Sequence, residues 1–108
     1  MRISRGSLEG IDHDASGIAS IIRNADGSLV VRFEDFDIEG VPDPRVYLAE
    51  GNDVDDAQGI NLGRLTGNRG QVLDYEVPRG TDAGPGWTVL VWCEAFSVPV
   101  ANATQAAA

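Results

Sequence analysis

Apolar residues recur along this chain with a period of two, in short runs separated by glycine, proline and small polar residues. No segment carries helical periodicity for more than about two turns, so the pattern predicts an all-β protein. The clearest unit is a hairpin. Gly17 to Arg23 alternates small and apolar residues, Asn24-Ala25-Asp26-Gly27 supplies a tight turn, and Ser28 to Phe33 returns. In the returning strand Leu29, Val31 and Phe33 share one face, and Val30 and Arg32 share the other.

The same pattern predicts strands over Gly6 to Ile11, Arg45 to Ala49, Gly59 to Leu65, Gln71 to Val77, Trp87 to Cys93 and Phe96 to Ala101. Acidic Glu34 to Pro44, polar Glu50 to Gln58 and Gly/Pro-rich Arg79 to Gly86 read as loops, and Asn102 to Ala108 as a frayed tail. Thr88 is the only polar residue between Trp87 and Cys93, so that strand should be covered on both faces. Pro78 stops the preceding strand, and Pro99 marks an edge or a bulge. About eight short strands predict one β-sandwich or partly closed barrel over the whole chain, 1–108, with its core within about 6–101. The expected core holds Ile18 or Ile21, Leu29, Val31, Phe33, Val46, Leu48, Leu62, Leu65, Val72, Tyr75, Val89, Val91, Trp92 and Phe96.

A chain of 108 residues supports one core and not two. Its 17 acidic and 8 basic side chains leave a net charge of −9, which repels nucleic acid and anionic membrane surfaces. One Cys excludes an internal disulfide, a thiolate zinc cluster and a Cys-only iron–sulfur site. One His excludes the two-His blue-copper set within the chain. Cys-x-x-Cys-His for covalent haem, Gly-x-Gly-x-x-Gly for a dinucleotide and Gly-x-Ser-x-Gly for a hydrolase are missing, so no cofactor is evident. No window approaches the length of a membrane span, and no apolar run follows Met1-Arg2-Ile3-Ser4-Arg5-Gly6 as a signal peptide requires. Asn102-Ala103-Thr104 matches the N-glycosylation triplet.

Cys93 is the first candidate for chemistry. As a redox thiol it would form a sulfenic acid or a mixed disulfide with a partner. As a structural residue it would be a small hydrophobe at the end of a core strand. The reactive form needs a nearby cation, yet the chain has no Lys and the next residue is Glu94. A lone thiol has no resolving partner, so electrons passing through this chain need a second protein or domain. Trp92, Tyr47 and Tyr75 read either as hopping sites or as core aromatics. His13, between Asp12 and Asp14, could share a metal with them, or its ring could bond the backbone and order the turn. A site joining His13 to Cys93 requires the first strand to lie beside the penultimate one. Two acidic groups, Asp35 and Asp37 with Glu34 and Glu39, and Asp53 and Asp55 with Asp56, have the oxygens a hard cation takes but not EF-hand spacing; otherwise they are solvated loops.

Six stretches carry a family likeness in order: His13-Asp14-Ala15-Ser16-Gly17, Leu29 to Phe36, Pro42-Asp43-Pro44-Arg45-Val46-Tyr47-Leu48, Leu62 to Gly70, Tyr75-Glu76-Val77-Pro78 and Trp92-Cys93-Glu94-Ala95-Phe96. Together they resemble the DM-thirteen domain, often labelled an electron-transfer domain. The family pattern has Gly-Pro-Asp contiguous, whereas Val41 here separates Gly40 from Pro42. The resemblance implies an extracytoplasmic, β-sandwich-like module. Its relatives are membrane-anchored or secreted, some beside DOMON domains and b-type cytochromes. It also implies that the functional residue is the Cys of the Trp-Cys pair, Cys93. The leading expectation is therefore a redox accessory domain acting with another protein, with dimerisation through Cys93 as a further expectation. The alternatives are a non-catalytic interaction module with Cys93 as packing, and a cation-binding module using the acidic loops.

Overall fold

A computed structural model describes residues 1–52, 54–55 and 58–108. Its strands are β1 (Arg2–Ser7), β2 (Glu9–Gly10), β3 (Ala15–Arg23), β4 (Leu29–Ile38), β5 (Pro44–Glu50), β6 (Ile60–Arg64), β7 (Arg69–Glu76), β8 (Trp87–Cys93), β9 (Val98–Thr104) and β10 (Ala106–Ala107). They form two five-stranded sheets, ordered β10-β1-β3-β4-β7 and β2-β9-β8-β5-β6, with every neighbouring pair antiparallel. The sheets pack face to face as a sandwich and do not close into a barrel. Ile21, Val31 and Phe33 of the first sheet meet Val46, Leu48, Val89, Val91 and Val100 of the second, all with no exposed surface.

The predicted hairpin is β3–β4. Asn24 N donates to Ser28 O at 2.8 Å, and Gly27 supplies the positive φ of 88°. The Asp26 carboxylate accepts from both the hydroxyl and the amide of Ser28, which holds it below the ordinary carboxylate range.

The acidic stretch after Phe33 departs from expectation, because β4 continues to Ile38 instead of ending in a loop. Ser16 pairs with Asp37 and Ile18 with Glu34, so Gly17 faces two residues, Asp35 and Phe36. This is a β-bulge, and Asp35 occupies it with φ 45°. The extra residue reverses the side-chain parity. Leu29, Val31 and Phe33 point inward before it, and Phe36 and Ile38 point inward after it. A period-two reading loses phase there and sees only charge.

Other expectations are corrected by strand parity. Val72 and Tyr75 lie three apart on β7 and cannot share a face; Tyr75 is inside and Val72 is exposed. Phe96 falls in the turn before β9 and is 69% exposed. The expected first strand is divided between the sheets: β1 pairs with β3 in one and β2 with β9 in the other.

The expected frayed tail is strand. β9 continues to Thr104, and β10 pairs with β1. Gln105 between them is buried, and it accepts from Ser4 Oγ at 2.8 Å and donates to the carbonyls of Ala19 and Ala103 at 3.0 and 3.2 Å. Its backbone bonds Trp87 O and Gly86 N. One amide thus ties the last strands to both sheets. Gln105→Ala leaves a buried hydroxyl and two carbonyls short of partners, so we expect a loss of about 2 kcal/mol in urea unfolding. A loss below about 0.5 kcal/mol would show the amide to be incidental. The glycosylation triplet also lies in β9, where Asn102 sits between β2 and β8 and donates to Thr88 Oγ1 at 3.1 Å.

Candidate functional site

Alternation along β8 sends its two chemically distinctive residues to opposite faces. Val89, Val91 and Cys93 point into the sandwich, while Leu90 and Trp92 point outward. Cys93 is 1% exposed and lies in the main core cluster. Its Sγ donates to the carbonyl of Pro42 at 3.2 Å. The lid over it is the β4–β5 connector, residues 39–43. Pro44 is directly opposite Cys93 in the ladder, and Glu94 N bonds Asp43 O at 3.0 Å. Asp43 adopts φ 49°, and its carboxylate holds the Arg45 guanidinium at 2.9 and 3.3 Å, which raises the Arg45 pKa. Val41 packs against the main core beneath this connector. Cys93 is free, and burial withholds it from an intermolecular bridge in this closed arrangement.

The outer face of the same sheet carries a second, smaller cluster. Tyr47, Leu90 and Trp92 are buried together, with Val54 of the β5–β6 connection against them. Arg45 is opposite Trp92 in the ladder, and Tyr47 is opposite Leu90. Tyr47 Oη donates to Glu94 Oε2 at 3.3 Å. Backbone β8 therefore separates a thiol on one face from an aromatic cluster on the other, with Glu94 beside both.

A family model described as Electron transfer DM13 matches residues 7–104. The chain belongs to the DM13 family. No curated protein and no solved structure matches it. Family membership makes the chain a domain related to electron transfer. Val41, next to Pro42 in the connector, is half-buried against the main core cluster that contains Cys93.

The DM13 sandwich brings together some of the residues singled out in the sequence and separates others. Trp92 and Tyr47 share the outer face of the second sheet, and Cys93 lies on the inner face of the same strand as Trp92. Tyr75 lies in the other sheet, where it donates to Arg64 O at 2.9 Å and accepts from Thr66 N at 3.1 Å, closing the β6–β7 turn. His13 orders its own turn, with Nδ1 2.8 Å from Ile11 O. Strand β9 stands between β2 and β8, so the neighbour relation that a His13–Cys93 site requires is not met. Asp35 and Asp37 are exposed, and Asp37 faces Arg69 at 3.8 Å. Asp53 lies outside the described residues, and Asp55 lies in the β5–β6 connection. Among the described residues no three His, Cys, Asp or Glu side chains group closely enough to hold a metal. None of those residues forms a helix long and apolar enough to cross a membrane. Reading the sequence missed Pro42 and Glu94 as partners. Ladder register decides both contacts, and no local motif announces them.

Proposed function

We propose that this DM13 domain is a redox accessory module of an extracytoplasmic protein, in which Cys93 is a guarded thiol. The reading is carried by the position of Cys93. It is the last residue of a core strand, capped by a single carbonyl from the 39–43 connector, whose Gly40 and Pro42 are exposed. Local opening of that connector, short of separating the two sheets, is the motion this reading requires. A partner protein then supplies the other half of the chemistry, as a mixed disulfide or as the electron acceptor.

Thiol titration tests this reading. In the native protein Cys93 is expected to react slowly, at a rate that levels off with reagent concentration and depends weakly on denaturant, as a local opening does. In full denaturant it should react at once. Reaction only at the denaturant-dependent rate of global unfolding would overturn the guarded-thiol reading. The second reading would then stand, a protein-interaction module with Cys93 as packing; the 1% exposure of Cys93 is the observation that favours it.

A further inference from the structure

We propose that Tyr47 is a one-electron redox residue of this domain, with Glu94 as the acceptor of its proton. The inference rests on the electron-transfer reading above but does not depend on Cys93 reacting. A phenol loses an electron readily only when its proton can leave at the same time, because the protonated radical cation is a strong acid. A hydrogen-bonded carboxylate is a suitable recipient, and Glu94 Oε2 is 3.3 Å from the phenol oxygen.

The other tyrosine is a control within the same molecule. The Tyr75 hydroxyl donates to a backbone carbonyl, Arg64 O at 2.9 Å, which cannot take a proton. Both phenols are largely buried, and their hydroxyls donate to acceptors of different chemistry, a carboxylate for Tyr47 and a carbonyl for Tyr75. Trp92 shares the outer face with Tyr47, and Arg45 is its partner in the ladder. Arg45 is held by Asp43, with the Glu94 carboxylate adding to the negative charge that favours its guanidinium.

The step balances as follows. A high-potential, metal-centred one-electron oxidant takes one electron from Tyr47. The phenolic O–H bond breaks, the proton forms an O–H bond on Glu94, and the products are a neutral tyrosyl radical, a protonated Glu94 and the reduced metal centre.

The test uses photogenerated tris(bipyridine)ruthenium(III) as the oxidant and electron paramagnetic resonance as the readout. The whole chain should give a tyrosyl signal. Tyr47→Phe keeps the ring and its packing, and it should abolish the signal although Tyr75, the other of the 2 tyrosines, remains. Glu94→Gln, at an exposed position, should slow radical formation by on the order of a hundredfold and remove its solvent deuterium isotope effect, with partial recovery in Glu94→Asp. Matching thermal melts confirm that each variant is folded. A tyrosyl signal surviving in Tyr47→Phe, or an unchanged rate and isotope effect in Glu94→Gln, would overturn the proposal. Cys93→Ala run in parallel should leave the signal intact, which separates failure of this inference from failure of the guarded thiol.

Discussion

Replacing Gly17 by alanine is expected to cost the DM13 domain about 3 kcal/mol and to lower its melting temperature by roughly 10 °C. A methyl group at Gly17 would stand 2.6 Å from the Cα of Phe36 and 2.9 Å from the carbonyl oxygen of Asp35. Both are backbone-fixed positions, so no rotamer change relieves the contact. Gly17 also has φ 118°, a conformation that side-chain-bearing residues rarely adopt. Strain and steric overlap therefore add. The bulge would have to open, and with it the parity change that turns Phe36 and Ile38 inward. Gly27→Ala is the informative comparison. Gly27 also has positive φ, but its turn is open with no atom within 4 Å, so the cost there should be conformational only, about 1 kcal/mol. Equal costs at the two glycines would show that the close approach at the bulge is unimportant.

Phe33→Ala should be the most damaging single truncation, at about 3–5 kcal/mol in denaturant unfolding. Phe33 has no exposed surface and is the largest fully buried side chain. It meets Phe36 edge-on at 5.6 Å between ring centroids and Tyr75 in a tilted arrangement at 6.0 Å. Phe33 and Phe36 share β4, which is held by ladders to β3 and β7, so the backbone around the vacated space resists collapse. Phe33→Leu, which keeps most of the volume, should cost about half as much. If Phe33→Ala cost less than about 1.5 kcal/mol, the sheets would be loosely packed there. By contrast, the exposed Arg32–Asp74 pair across β4 and β7, at 2.8 and 2.9 Å, should add little to stability despite its paired geometry, because solvent screens it.

Several features of this molecule were legible along the chain. Alternation identified the β3–β4 hairpin, the fully covered strand Trp87–Cys93 and the all-β class, because a half-buried strand must repeat every two residues, while the choice of a sandwich over a partly closed barrel came from the sheet pairing. The family likeness was legible in ordered short stretches. The site was legible only as a set of names. Cys93, Trp92 and Tyr47 could be picked out by residue type, but not the hydrogen bonds of Cys93 to Pro42 and of Tyr47 to Glu94. Those contacts join residues far apart in the chain, and their register is set by the whole ladder.

Two expectations failed for separate physical reasons. The acidic segment after Phe33 was read as a loop because a bulge shifts the alternation by one residue, and a shift in phase looks like a loss of pattern. The chain end was read as frayed because Ala, Asn, Thr and Gln carry little hydrophobic signal. Yet Ala101 and Ala103 are fully buried there, and Gln105 satisfies buried carbonyls that no local pattern reveals.

Local rules, then, were enough for the class of fold, the hairpin, the charge and the short list of chemistry-bearing side chains, since each depends on nearest neighbours and on counting. Which of those side chains meet, which are sealed and which phenol has a base to hand came from the pairing of distant strands. Antiparallel register aligns residues across the fold, and it is fixed by the summed packing of both sheets.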